Sequence, residues 1–116
     1  MLQIPPQVRV LVAVEAVDFR CGMDGLSRRV REGMTDDPFS GAVFVFRNRA
    51  ATAIKLLVYD GQGFWLCHKR LSSGRFRHWP DGEKTPTPLL AQELQVLLHA
   101  GDPEAAGIPA PWKALY

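Results

Sequence analysis

Eight residues in the middle of this chain are of types that bind polyanions: Arg47, Asn48, Arg49, Lys55, Lys69, Arg70, Arg75 and Arg77. Arginine and asparagine form directional hydrogen bonds to phosphates or base edges, whereas lysine mainly neutralises phosphate as a point charge. Between residues 47 and 78 seven cations stand against one carboxylate, Asp60, for a net +6, while the rest of the 116 residues hold 7 basic and 11 acidic groups and sum to -4. Charge segregated in this way attracts a polyanion even when the net charge is only +2, because the local potential governs encounter. Phe64, Trp65, Phe76 and Trp79 are interleaved with the cations and have two readings, as stacking platforms for bases or as core.

Other chemistry has weaker support. Asp18, Asp24 and Asp60 are the carboxylates from which a magnesium-dependent nucleic-acid enzyme would be built, but their spacing does not demand it. Asp18 has a simpler role with Arg20 in a turn, and Asp60 precedes a Gly-Gln-Gly turn where aspartate is a common structural choice. His68, His78 and His99 lack a nucleophile motif, and Cys21 and Cys67 have no ligand-spaced neighbours, so reduced thiols and no cofactor or metal are expected.

The elements that must position these groups follow from periodicity. Residues 8–14 read as a strand, and residues 24–33 as a short helix with Leu26, Val30 and Met34 on one stripe and Asp24 at its start. Asp36-Asp37-Pro38 forces a turn. Residues 42–47, 53–60 and 64–71 then read as three strands joined too closely for crossover helices, hence antiparallel, with a last short strand at 75–78. Thr87-Pro88 opens a second helix carrying Leu89, Leu90, Leu94, Leu97 and Leu98, closed by Gly101. The expected fold is α+β, an antiparallel meander of four to five strands with two helices on one face, in the order β-α-β-β-β-(β)-α. One domain is expected over residues 1–116, with a core at about 8–100 and an irregular tail at 101–116.

A two-residue loop at Gly61-Gln62 would set Lys55 opposite His68 and Ala53 opposite Arg70. The remaining arginines then fall near strand ends, giving a basic rim rather than a stripe. Neither a signal-like head nor an apolar run of membrane-spanning length is present, so a cytoplasmic protein without membrane contact is expected.

Several ordered motifs together resemble a known family. They are residues 18–26 (Asp-Phe-Arg-Cys-Gly-Met-Asp-Gly-Leu), 37–41 (Asp-Pro-Phe-Ser-Gly), 44–49 (Phe-Val-Phe-Arg-Asn-Arg), 54–57, Lys69-Arg70-Leu71, Gly74-Arg75-Phe76 and Trp79-Pro80. The set resembles the TnpB accessory-protein family of bacterial insertion sequences of family sixty-six, over about residues 8–100. That resemblance implies a noncatalytic helper in DNA transposition, working beside an element-encoded transposase, with other element proteins and DNA as further candidate partners. Two alternatives stand beside it: the metal-dependent enzyme above, and a scaffold that binds protein through an exposed apolar patch. Oligomeric state is left open by the sequence.

Overall fold

The computed structural model describes residues 7–82 and 86–103. Its elements are β1 (Val10–Val12), α1 (Met23–Gly33), β2 (Val43–Arg47), β3 (Ala53–Tyr59), β4 (Phe64–Arg70), β5 (Thr87–Leu89) and α2 (Ala91–Leu98). The strands form one sheet in the order β4-β3-β2-β1-β5. β2, β3 and β4 are a meander of antiparallel neighbours, and β5 is antiparallel to β1. β1 and β2 are parallel, because α1 carries the chain back across the sheet between them. The fold is α+β with five strands and two helices as expected, although the sheet is mixed.

The strands explain where the helices must lie. β1, most of β2 and the first five residues of β3 are buried at every position rather than at alternate ones, the pattern of strands covered on both faces. Val10, Val12, Val43, Val45, Ile54 and Leu56 pack with Leu94, Leu97 and Leu98 of α2. Leu11, Phe44, Phe46 and Leu57 point the other way and pack with Leu26 and Val30 of α1 and with Met34 beyond it. The two helices therefore cover opposite faces, a correction to the expected placement on one face.

Two boundaries also differ from the sequence reading. Thr87-Pro88-Leu89 is not the first turn of a helix but β5, paired with Val12, Leu11 and Val10. This strand occupies a sheet edge, where the missing proline amide costs no inner ladder bond. α2 begins at Ala91, and its entry is fixed by Glu93, whose carboxylate accepts the Leu90 N–H at 2.7 Å. Residues 75–78, expected to form a strand, make an irregular connection that buries Phe76 in the α2-side core. Beyond residue 103 the expected tail lies outside the described residues.

One charge is inside the fold. Lys55 is 7% exposed, and its ammonium donates to the Phe19 carbonyl at 2.8 Å and to the Cys21 carbonyl at 3.1 Å. It also lies 4.9 Å from the centre of the Phe19 ring. A buried ammonium needs such partners, and here they tie the segment before α1 to the middle of β3.

Two stability measurements check this architecture. Phe44→Ala removes a fully buried ring between sheet and α1 and should cost about 3–5 kcal/mol in denaturant unfolding. Lys55→Met leaves two carbonyls without their donor and should cost roughly 1–3 kcal/mol, with faster amide exchange confined first to residues 18–22.

Candidate nucleic-acid interface

Strand direction decides which cations meet. β1 and β2 end, and β3 and β5 begin, at the same end of the sheet, and antiparallel pairing brings the end of β4 there too. Arg47, Asn48 and Arg49 close β2 at that end, and Arg70 stands opposite Ala53. The chain then crosses the same end: Leu71 N–H donates to Thr52 O at 2.9 Å, Phe76 N–H to Ala51 O at 2.7 Å, and Trp79 Nε1 to Ala13 O at 2.9 Å. Arg75 and Arg77 flank buried Phe76 and are exposed. The register is the one the hairpin predicts, with Lys55 opposite His68 and Asp60 N–H donating to Gly63 O at 3.0 Å.

The eight residues do not have equal access. Lys55 is interior. Asn48 closes the β2–β3 turn: its Oδ1 accepts Thr52 and Ala53 N–H at 2.9 and 3.1 Å, and its Nδ2 donates to Thr52 Oγ1 at 2.9 Å. Ala51, in that turn, adopts a left-handed φ of 58°. Arg47 is half-buried, with long contacts to Asn48 O at 3.4 Å and Val14 O at 3.5 Å, and its buried Nε has no hydrogen-bond partner among the described residues. Lys69 and Arg70 are adjacent and so point to opposite faces. Lys69 lies on the α2 face and donates to Leu98 O, the last carbonyl of α2, at 2.5 Å, where a cation complements the helix dipole. Arg77 lies further along, in a depression it shares with His78, Asp81, Glu93 and Asp102.

Two cations that sequence reasoning missed complete the rim. A cleft of about 550 Å³ lies between the segment before α1, the helix and the β2–β3 turn, and its lining includes Asp18, Arg20, Arg29, Asn48 and Arg49. Three guanidinium groups against one carboxylate leave it cationic. Arg20 and Arg29 lie outside the +6 segment, and only the folding of the β1–α1 connection over the sheet brings them to Arg49. Among the described residues, none of Arg29, Arg49, Arg70 and Arg75 has a carboxylate within 4.0 Å.

The opposite end has a different character. Asp60 accepts Gln62 and Gly63 N–H and, at 2.8 Å, the indole N–H of Trp65, bonds that hold its carboxyl below the usual range. Phe39, Tyr59 and Phe64 form an aromatic cluster there, with ring centres 4.9–5.1 Å apart. Asp60 is thus separated from Asp18 by the seven residues of β3, on the order of 20 Å. The Asp18, Asp24 and Asp60 set that an enzyme would need is not assembled. No helix among the described residues is long and apolar enough to cross a membrane.

Asp18 carries a pH test of the cleft. Its carboxylate accepts Arg20 Nη2 at 2.7 Å and Nε at 3.0 Å, together with the Arg20 backbone N–H at 2.9 Å. The Arg20 side-chain bonds are the main reason its pKa falls from 3.8 to about 2, with smaller help from the charge of Arg49. A depressed carboxylate pKa stabilises the fold above its unfolded value and loses that effect as pH falls through the folded one. Carboxyl NMR should therefore give a midpoint near 2 for Asp18, and Arg20→Gln should return it toward 3.8.

Comparison with known proteins places the sequence among bacterial relatives. A chain from Sinorhizobium fredii (strain NBRC 101917 / NGR234), uncharacterized protein y4hO, is 39% identical over 102 residues, covering 88% of each chain. A second from the same organism, uncharacterized protein y4jC, is 41% identical over 69 residues, 60% of this chain and 59% of its own length. No solved structure matches. The family described as IS66 Orf2 like protein matches residues 8–107, and this chain belongs to it.

Proposed function

We propose that the chain is a noncatalytic accessory protein of IS66-type transposition that binds the phosphate backbone of DNA at the basic end of its sheet, alongside the element's transposase. Membership of the IS66 Orf2-like family supports the biological process. The observation that carries the molecular reading is the convergence of Arg20, Arg29, Arg49, Arg70 and Arg75 around one sheet end, with a cationic cleft between the first three. Arg47 and Asn48 shape the turn that presents Arg49. Lys55 holds the segment bearing Arg20, and Lys69 and Arg77 flank the rim on the α2 side.

Such a surface suits phosphate neutralisation more than base reading, because four of its five arginines sit on loops, turns and strand ends and Arg29 alone is carried by a helix, α1. Sequence preference would then come from the transposase or from DNA shape.

A protein-binding reading has one observation in its favour. Phe39 is 48% exposed on the aromatic cluster at the far end of the sheet, with the Arg31 guanidinium 5.8 Å from its ring centre. That end would serve a protein partner while the basic end holds DNA.

Fluorescence anisotropy with a short duplex tests the main reading. Arg49→Glu with Arg70→Glu should weaken binding at least about tenfold and reduce the salt slope by roughly 2, one unit per lost phosphate contact. Gln62→Glu, an added carboxylate at the other end, should leave affinity within about twofold by the same logic of local contact. Equal binding by the double variant and the native chain would remove the basic rim from the account.

A further inference from the structure

The outer edge of β4 is seven residues long, and no strand among the described residues pairs with it. A long open edge is a template for another strand, and proteins that stay monomeric usually shorten or cover it. β5, at the other edge of the sheet, has three residues. β4 also carries Trp65, which is 60% exposed.

The hydrogen-bond parity of this edge is fixed. Leu71 N–H donates inward to Thr52 O and Gly63 O accepts Asp60 N–H, so odd-numbered residues of β4 direct their backbone groups to β3. Phe64, Leu66, His68 and Arg70 direct theirs outward. We infer that β4 is a self-association edge, pairing antiparallel with β4 of a second copy about a two-fold axis at Cys67.

Three features select this occupant and this register. A two-fold at Cys67 pairs all four outward residues, Phe64 with the partner's Arg70 and Leu66 with the partner's His68, and overlaps the full seven residues. It sets Lys69 beside the partner's Trp65 on one face and Arg70 beside the partner's Phe64 on the other, so every cation meets a ring. A parallel pairing of this edge with itself cannot be in register, because a parallel ladder sets an outward-bonding residue of one strand beside an inward-bonding residue of the other and so forces an odd stagger. The self-complementary strand thus encodes its own partner, and the contact is isologous. The resulting ten-stranded sheet carries its two basic rims at opposite ends.

The register supplies its own reporter. Cys67 directs its backbone inward, so in the dimer the two Cys67 residues form a non-hydrogen-bonded pair, with Cα atoms about 4.5 Å apart. That spacing lies within the range a disulfide accepts. Mild oxidation removes two protons and two electrons from the facing thiols, with the added oxidant taking the electrons. The native chain should form a covalent dimer of twice 12.9 kDa, as should Cys21→Ser, whereas Cys67→Ser should not.

Sedimentation equilibrium of the reduced full chain should give a reversible dimer, with Kd on the order of micromolar for a contact of this modest size. His68→Pro removes an outward amide from β4 and an edge contact with the Phe19 ring but no ladder bond to β3, so it should leave the circular dichroism unchanged and raise that Kd at least about tenfold. A native chain that stays monomeric at roughly 100 μM overturns the inference. So does a dimer that His68→Pro leaves intact, or one whose Cys67 thiols do not cross-link. If His68→Pro fails to fold, the Cys67 and Cys21 comparison decides alone.

Discussion

Burial of the central strands on both faces constrains everything else in this molecule. Once α1 covers Leu11, Phe44, Phe46 and Leu57, and α2 covers Val10, Val12, Val43, Val45, Ile54 and Leu56, a charged side chain in the middle of the chain has few exits. It can leave through a strand end or through the outer strand β4, or it must be hydrogen-bonded inside. Arg47, Arg49 and Arg70 take the first two routes, and Lys55 takes the third. A rim of cations at one sheet end is therefore a consequence of the core, not an independent decoration of the surface.

Lys55 shows how the core and the rim depend on one another. A lysine within a strand whose neighbours are Ile54 and Leu56 would be expensive without partners. The carbonyls of Phe19 and Cys21 supply them, and in doing so fix the segment that carries Asp18 and Arg20 over the sheet. One internal ammonium thus sets the far wall of the cleft that Arg49 enters from the β2–β3 turn.

Much of this was legible in the sequence. Short polar connections around three apolar runs fixed the β2–β3–β4 meander, and the Gly61-Gln62 turn fixed its register to the residue. Leu26, Val30 and Met34 at helical spacing marked the buried stripe of α1. The helix placement was also written there but in a less familiar form: Val43-Phe44-Val45-Phe46 does not alternate with polar residues, and an unbroken apolar strand needs cover on both sides. Thr87-Pro88 looked like a helix start because a hydroxyl and a proline suit that position. It is a strand because β1 has an open side, a long-range fact that local chemistry does not contain. Lys55 looked like a surface cation for the same reason, since its carbonyl partners lie 34 and 36 residues away. Arg20 and Arg29 were overlooked because they belong to the acidic remainder of the chain and reach Arg49 only through the β1–α1 connection.

The most direct measurement of the central claim is an amide chemical-shift map of the isotope-labelled chain titrated with a short DNA duplex at low salt. The account predicts shifts at Arg20, Arg49, Ala50, Arg70 and Arg75, at the sheet end where the cations converge. Shifts confined to the Gly61–Trp65 hairpin at the opposite end, or none at all, would contradict it.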